Sequence, residues 1–173
     1  MAVIETERMV GRYFKRSDGK YLRYFAIDAE AMQLGLPDVV HDEASMQERE
    51  QRVLEHIDKF DFGFCLFFKK GRAEAMDSLL GFCGLFHRDM DDTSNAELGY
   101  WTAPNQYGKG YGYEMAKGAL DWGRGYFDSP YKITANVHKP NVASVKILEK
   151  LGMLQVGEVE KDGCTFLDFE III

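Results

Sequence analysis

The sequence predicts one mixed α/β (α+β) domain that spans residues 1–173. Its length suits a single domain with a sizeable core and is too short to promise two. Short runs rich in aromatic and aliphatic residues predict about seven strands, and amphipathic or capped segments predict about four helices. The predicted order is strand, two helices, three strands, helix, strand, helix and two strands.

The first strand and the first helix are predicted from periodicity and turn signals. Residues 8–16 alternate irregularly between apolar and polar types and stop at the turn cluster Ser17-Asp18-Gly19, so a strand is predicted there. Apolar residues then recur at helical spacing over residues 21–34, which predicts a short helix that stops at Gly35-Leu36-Pro37.

A capping box is predicted to open the second helix. Ser45 is expected to accept from the amide of Glu48, while the Glu48 carboxylate accepts from the amide of Ser45. An apolar stripe among charged residues then predicts an amphipathic helix to about Lys59. Its charged face is interpreted as a solvated surface.

The rest of the chain alternates strand-like runs with two further helices. The runs at 62–69 and 79–87 are separated by a polar loop, and a second polar loop precedes the fourth strand. The later predicted elements are a strand at 96–102, a helix at 110–124, a strand at 131–137, a helix capped by Asn141 at 141–150, and a hairpin of 153–160 and 165–172.

A glycine-rich turn joins the fourth strand to the helix after it. Residues 105–112 read Asn-Gln-Tyr-Gly-Lys-Gly-Tyr-Gly. Glycine at alternate positions removes the Cβ atoms that keep a ligand off the backbone, so successive N–H groups can converge on an anion at a helix N-terminus. The spacing suits neither a nucleotide-hydrolase P-loop nor a dinucleotide fingerprint. The turn is therefore predicted to bind the pyrophosphate of a different ligand.

Two separated motifs carry a resemblance to a known family. The first is Ala-Glu-Leu-Gly-Tyr-Trp-Thr-Ala-Pro at 96–104, followed by Gly-Lys-Gly-Tyr-Gly-Tyr-Glu-Met-Ala at 108–116. The second is Asn-Val-Ala-Ser at 141–144, followed by Leu-Glu-Lys-Leu-Gly-Met at 148–153. Together they resemble the GNAT acetyltransferase superfamily, and within it the branch of the ribosomal-protein N-terminal acetyltransferases. Where that family usually begins the turn with Gln or Arg, this chain has Tyr107.

The resemblance implies a central, mostly antiparallel mixed sheet whose parallel fourth and fifth strands splay apart. In such a fold the pantetheine arm of acetyl-CoA, the co-substrate, fills the gap as a substitute strand, and the glycine turn holds the pyrophosphate. The residues that the resemblance places at the cofactor are Tyr100, Trp101, Thr102, Tyr107, Gly108, Lys109, Gly110, Tyr111, Gly112 and Asn141.

The implied activity is transfer of acetyl to a primary amine by direct attack in a ternary complex. A lysine-like ammonium has a pKa of about 10.4, so the site needs a base. Glu97, acidic in an otherwise apolar strand, is the candidate, and the alternative is an ordinary outward-facing strand residue. A strand-four N–H near residues 100–102 is expected to stabilise the oxyanion.

The helix at 141–150 lacks the tyrosine that many members use to protonate the leaving thiolate. Ser144 is therefore the candidate donor, with a plain helix-end role as an equal alternative. Two other functions stay open: an acyltransferase with a longer acyl group or a hydroxyl acceptor, and a CoA-binding sensor or interaction module without catalysis. The acceptor pocket is expected to come from the first two helices and the last hairpin, which carry no motif.

The composition limits the binding partners and the location that the sequence predicts. The formal net charge of −7 argues against nucleic acid, because phosphate binding needs clustered cations. The sequence has no apolar run of the roughly 20 residues of a membrane span and no signal-peptide pattern at its N-terminus, so a cytoplasmic location is expected. The three cysteines lie far apart, which favours reduced thiols over a disulfide or a metal site. The apolar tail at 169–173 suggests a possible homodimer.

Overall fold

The computed structural model describes residues 3–35 and 42–173. Over these residues it contains one eight-stranded sheet in the order β1-β2-β3-β4-β5-β6-β8-β7. The strands are β1 (Ile4–Glu5), β2 (Met9–Tyr13), β3 (Cys65–Lys69), β4 (Leu79–Phe86), β5 (Asn95–Thr102), β6 (Lys132–His138), β7 (Leu154–Lys161) and β8 (Cys164–Ile172). The α-helices are α1 (Gly19–Phe25), α2 (Ala29–Gly35), α3 (Glu43–Phe60), α4 (Tyr111–Tyr126) and α5 (Val142–Lys150).

Helices cover both faces of the sheet and give three layers. On one face, α4 buries Met115, Ala119 and Leu120 against strand residues such as Leu98 and Ile133. The opposite face carries a second cluster, in which residues of α1 and α3 pack on β3 and β4: Tyr21, Leu22, Phe25, Met46, Val53, Leu66, Phe68 and Phe82. Since β3 lies under both layers, four of its five residues are buried, as expected for a strand covered on both faces.

The predicted mixed sheet is confirmed. Within the described residues, all neighbouring strands are antiparallel except β5 and β6, which are parallel. All seven predicted strands are present, and the added strand is the two-residue β1, which pairs with β2. Two residues are too few to show a periodicity, which is why the sequence does not reveal it.

The helix predicted over 21–34 is instead two short helices. α1 ends at Phe25 and α2 begins at Ala29. The carboxylate of Asp28 accepts a hydrogen bond from the Ala31 amide at 3.0 Å, so it caps a new helix where a continuous one was predicted. α2 ends at Gly35, and the predicted stop residues Leu36 and Pro37 lie outside the described residues.

The capping box of α3 lies one turn earlier than predicted. Asp42, not Ser45, is the N-cap: its carboxylate accepts from the Ser45 amide at 2.8 Å, and Ser45 Oγ accepts from the Asp42 amide at 3.1 Å. The Ser45–Glu48 box is therefore wrong. Aspartate is as good a cap as serine, and helix-compatible residues follow it, so the helix begins at the earlier site.

The splay between the parallel strands is confirmed. β5 and β6 pair at three positions, from Asn95 opposite Lys132 to Glu97 opposite Thr134. Beyond Glu97, β5 stays paired with β4 to Thr102, but its ladder with β6 stops. A wedge-shaped gap therefore opens beside the second half of β5.

The apolar tail is part of the sheet. Phe169 is buried, and β8 pairs with β6 from Phe166 to Ile172 and with β7 over most of its length. The edge strand next to β8 is β7, and its Leu154, Val156 and Val159 are exposed. No helix among the described residues is both long enough and apolar enough to cross a membrane.

Candidate active site

Gly108 and Gly110 shape the turn at the end of β5. After a short 3₁₀ turn at Pro104–Gln106, they adopt φ of 73° and 79°, the left-handed region that glycine enters at little cost. A Cβ on Gly108 would meet nothing within 4 Å, so the backbone there is open to solvent. The turn leads into the N-terminus of the 16-residue α4, where unpaired N–H groups and the helix dipole favour an anion.

Gly112 has a packing role. A Cβ there would lie 3.0 Å from Thr102 Oγ1 and 3.2 Å from Ile147 Cδ1, so its absence lets α4 approach both β5 and α5 closely. The predicted set of three glycines thus divides: two give the turn its conformation, and the third brings together the elements around the gap.

The other residues of the turn hold its shape. Lys109 Nζ folds back and donates to the Asn105 carbonyl at 2.9 Å and to Gln106 Oε1 at 3.1 Å. Tyr107 is partly exposed, and its burial, followed by the nearby Asp28 carboxylate, raises its pKa to about 12. Its phenol therefore keeps its proton at neutral pH. Tyr111 lies under the guanidinium of Arg8, 4.4 Å from the ring centre.

The backbone of β5 presents donors to the gap. The Ala103 amide donates to the Leu80 carbonyl of β4 at 2.9 Å. Because successive N–H groups of a strand point to opposite sides, those of Tyr100 and Thr102 point away from β4 and towards the gap. These donors lie within the range from which an oxyanion contact is predicted.

Two hydroxyl groups meet across the gap. The side chain of Asn141 caps α5 as predicted and accepts from the Ser144 amide at 3.2 Å. The oxygens of Tyr100 OH and Ser144 Oγ are 2.7 Å apart, and Tyr100 OH also lies 3.2 Å from the Ser144 carbonyl, to which it donates. Burial raises the pKa of Tyr100 well above its ordinary value. This pair therefore stays protonated and links β5 to α5.

Glu97 lies on the other face of β5. Along the strand, Ala96 and Leu98 face the α4 core, so Glu97 faces the layer that contains α1 to α3. Its side chain is 13% exposed and accepts two hydrogen bonds from Arg88, Nε to Oε2 at 2.5 Å and Nη2 to Oε1 at 2.6 Å. The Arg88 side chain itself is 64% exposed. The carboxylate is thus nearly buried beneath a solvated cation.

The end of α2 covers this face near Trp101. A Cβ on Gly35 would lie 2.3 Å from the Trp101 ring, and the Leu34 carbonyl lies 3.1 Å from His138 Nδ1 on β6. The end of α2 therefore stands over the diverging ends of the two parallel strands. The acceptor pocket expected from the first two helices and the last hairpin stays a prediction.

Two of the three cysteines are buried in the fold. The cysteines are free thiols, and burial raises the pKa of Cys65 and of Cys83, which makes them poor nucleophiles. Among residues 3–35 and 42–173, no cluster of three or more His, Cys, Asp or Glu side chains is arranged to hold a metal ion.

Sequence reasoning missed two arginines. Arg88 binds Glu97, and Arg8 donates to the carboxylate of Glu114 and to the Lys109 carbonyl beside the turn. One signal was available: an acidic residue in the first turn of a helix predicted to bind an anion needs a cation nearby. The identity of that cation was hidden, because Arg8 and Glu114 are 106 residues apart.

Comparison with known proteins places this arrangement in a family. The family model of the acetyltransferase (GNAT) domain matches residues 8–154. The Bacillus subtilis (strain 168) protein "Uncharacterized protein YkkB" is 33% identical over 75 residues, and that match spans 43% of this chain and 42% of YkkB.

Three solved structures show the same fold. A spermidine N-acetyltransferase from Vibrio cholerae, in complex with CoA and spermine, has a TM-score of 0.74 at 19% identity and covers 95% of both chains. The ribosomal-protein-S5-alanine acetyltransferase from Vibrio fischeri has a TM-score of 0.76 at 19% identity, covering 97% of this chain and 94% of its own. RimL, a ribosomal L7/L12 α-N-protein acetyltransferase in complex with coenzyme A, has a TM-score of 0.78 at 15% identity, covering 100% of this chain and 98% of its own.

At such identities the structural matches establish the fold alone, and the family model supplies the assignment, since it matches well over half of the chain. The glycine turn, the splayed strands and the capped α5 all lie within the matched residues. This chain belongs to the GNAT acetyltransferase family.

Proposed function

We propose that this protein is an acetyl-CoA-dependent N-acetyltransferase that acetylates a primary amine. The observation that carries the proposal is the gap beside β5, which runs to an open glycine turn at the N-terminus of α4. An arm with its own amide groups fits such a gap, and a pyrophosphate fits such a turn. Two of the structural relatives are in complex with coenzyme A.

The residues present fit acetyl-CoA, which when bound supplies an activated thioester. The backbone around Gly108 and Gly110 binds the pyrophosphate, and the N–H groups of Tyr100 and Thr102 bind carbonyl oxygens in the gap. Asn141 stands at the mouth of α5, where its side-chain amide offers a donor to the pantetheine arm.

Proton transfer is assigned to two side chains. Glu97 takes the proton of the acceptor amine at a carboxylate oxygen, directly or through a water. Ser144 Oγ, held by Tyr100 OH, would donate a hydrogen bond or a proton to the leaving thiolate. The carboxylate of Glu97 and the hydroxyl pair of Tyr100 and Ser144 lie on opposite faces of β5, so the two roles would be carried out from different faces of the sheet.

A second function is favoured by one observation. Both carboxylate oxygens of Glu97 are engaged by Arg88, as in a purely structural ion pair. A CoA-binding sensor or interaction module without catalysis would need no more than this. A longer acyl group or a hydroxyl acceptor is the variant within the same fold.

Thiol release from acetyl-CoA across a panel of amines distinguishes these functions. The panel contains spermidine, aminoglycosides, N-terminal peptides of ribosomal proteins and a matched alcohol, with titration calorimetry of CoA in parallel. The proposal expects turnover above the water background with at least one amine. CoA binding without any acceptor-dependent release would establish the binding module instead, and no heat with CoA would overturn both.

The homodimer stays a proposal, but its contact surface is now proposed to be β7 and not the tail at 169–173. This edge strand exposes Leu154, Val156 and Val159, and unpaired edges are sites of strand pairing between chains. Sedimentation velocity of the wild type and of Leu154→Lys tests it, because a charge on that edge is expected to shift a dimer to the monomer mass.

A further inference from the structure

We propose that Arg8 is a positioning residue for the glycine turn. Tied to Glu114 and to the Lys109 carbonyl, it holds the Lys109–Gly110 peptide in the orientation that binds the pyrophosphate. This inference rests on the proposed function, because it concerns the same cofactor site. Arg8 acts through the backbone of the turn and not by contact with the ligand.

The brace begins at Glu114 in the first turn of α4. Its Oε1 accepts from Thr6 Oγ1 at 2.6 Å and from the Arg8 amide at 3.0 Å, and its Oε2 accepts from Arg8 Nε at 2.6 Å. Burial alone would raise the pKa of Glu114, but the hydrogen bonds from Thr6 and Arg8 outweigh it and lower the pKa. The carboxylate is therefore ionised at neutral pH and fixes the segment before β2 against the start of α4.

Arg8 extends the brace to the turn itself. Its Nη1 donates to the Lys109 carbonyl at 3.0 Å. In a trans peptide the C=O and the next N–H point in opposite directions, so this bond directs the Gly110 N–H away from Arg8. Arg8 Nη2 lies 3.6 Å from the position that a Cβ of Gly110 would take, so the guanidinium covers one side of this peptide. The remaining side is left for an anion.

Direct phosphate binding by Arg8 is the competing explanation, and the surroundings do not favour it. Two of its nitrogens already donate to the protein, and its charge is balanced by Glu114. The cleft of about 710 Å³ between the N-terminal segment and α4 is lined by four carboxylates and by three cations, Arg8, Lys117 and Lys150. Binding of a phosphate by side chains would need an excess of cations, and this cleft has none, so the anion is left to the backbone N–H groups of the turn.

Calorimetry with CoA and with pantetheine, which lacks the pyrophosphate, tests the brace. Arg8→Met is expected to weaken CoA binding about tenfold, the loss expected when one charge-assisted hydrogen bond that orders the site is removed. Pantetheine binding is expected to stay unchanged. Arg124→Met is the matched control, because Arg124 lies near the other end of α4 and pairs with Asp121 away from the turn.

Glu114→Gln distinguishes the brace from direct phosphate binding, because the two explanations predict opposite changes in CoA affinity. Removing a negative charge near a pyrophosphate and releasing Arg8 would strengthen CoA binding if electrostatics or direct contact dominated. The brace predicts weaker binding, because Arg8 loses its anchor. Tighter binding of CoA by Glu114→Gln therefore overturns the proposal.

Backbone dynamics provide a readout that needs no ligand. Nitrogen-15 relaxation should give order parameters for Gly108 and Gly110 of about 0.85 in the wild type and below ~0.6 in Arg8→Met. If Arg8→Met fails to fold, Arg8→Lys takes its place, since lysine keeps the charge but cannot bind Glu114 and the Lys109 carbonyl together. Unchanged order parameters refute the brace. A wild type that binds no CoA, with order parameters that still fall in the variant, refutes the proposed function alone.

Discussion

At the scale of single residues, Glu97 has the environment of a held carboxylate. It is nearly buried in an apolar strand, where an unpaired charge would be costly, and Arg88 supplies the partner. A carboxylate has about four lone-pair sites and Arg88 uses two, so an amine or a water can still bind. The ion pair therefore leaves Glu97 able to act as a base.

Glu97→Gln is expected to lower kcat/KM for the amine by about 10²-fold, the usual contribution of a general base. The loss should grow as pH falls, because more of the amine is then protonated and needs deprotonation. CoA affinity should not change. Glu170→Gln is the control, since Glu170 lies opposite Thr134 on the neighbouring strand. A pH–rate profile that matches the wild type would remove Glu97 as the base.

The Tyr100–Ser144 pair gives a second test at this scale. Ser144→Ala keeps the amide that Asn141 caps, so it removes the hydroxyl and spares the helix end. If the pair delivers a proton, Ser144→Ala and Tyr100→Phe should each lower kcat by about tenfold, and the double variant should be little worse because the two act as a unit. Steady-state kinetics with the best acceptor measure this. A loss below twofold in Ser144→Ala would mean that the thiolate leaves unaided.

At the scale of elements, the glycines of the turn have two different roles: some allow its backbone conformation and one allows close packing. Gly112→Val is expected to destabilise the fold by about 1–3 kcal/mol, because its side chain would overlap Thr102 and Ile147. Gly110→Leu should cost about 1–2 kcal/mol for its left-handed backbone and should abolish CoA binding while the protein stays folded. Thermal unfolding and calorimetry on the same samples compare the two. Retained CoA affinity in Gly110→Leu would contradict the assignment of the turn.

Elements were predictable where local signals were strong. The capped α5 and the glycine turn were located from a few adjacent residues. The split between α1 and α2 and the true cap of α3 were not, because Asp28 and Asp42 are each one of several residues able to cap a helix. Which of these residues caps the helix depends on how the helices pack on the sheet, and the hydrophobic periodicity does not show that packing.

At the scale of the whole molecule, the mixed sheet and the splay of its parallel strands were predicted from the motif resemblance. Strand pairing joins distant residues, such as Glu97 with Thr134, and no local pattern shows which strands meet. The same limit hid the ion pair of Arg8 with Glu114 and the hydroxyl contact of Tyr100 with Ser144. The sequence could nominate residues for the candidate site, but it could not show which residues they contact.

His56 connects distant parts of the fold and makes stability depend on pH. It lies in α3 and is 5% exposed. Its Nδ1 lies 3.0 Å from the Phe62 carbonyl, and the His87 amide donates to its Nε2 at 2.8 Å. A carbonyl can only accept and an amide N–H can only donate, so both bonds require the neutral ring with its proton on Nδ1. Protonation would break the bond that joins α3 to the end of β4.

Desolvation is the main cause that lowers the pKa of His56 from 6.5 to about 4, with smaller contributions from His87 and Lys59, while the bond to Phe62 opposes the change. The unfolded chain therefore takes up a proton between pH 6.5 and 4 that the folded chain does not. The free energy of unfolding should be at its full value above pH 6.5 and should fall by up to about 3 kcal/mol as pH drops to 4. Urea unfolding at pH 7.0, 5.5 and 4.5 measures this slope. His56→Gln is the control, because its unfolding free energy changes with pH through the carboxylates and not through His56. Equal slopes in the two proteins would show that His56 contributes nothing to acid sensitivity.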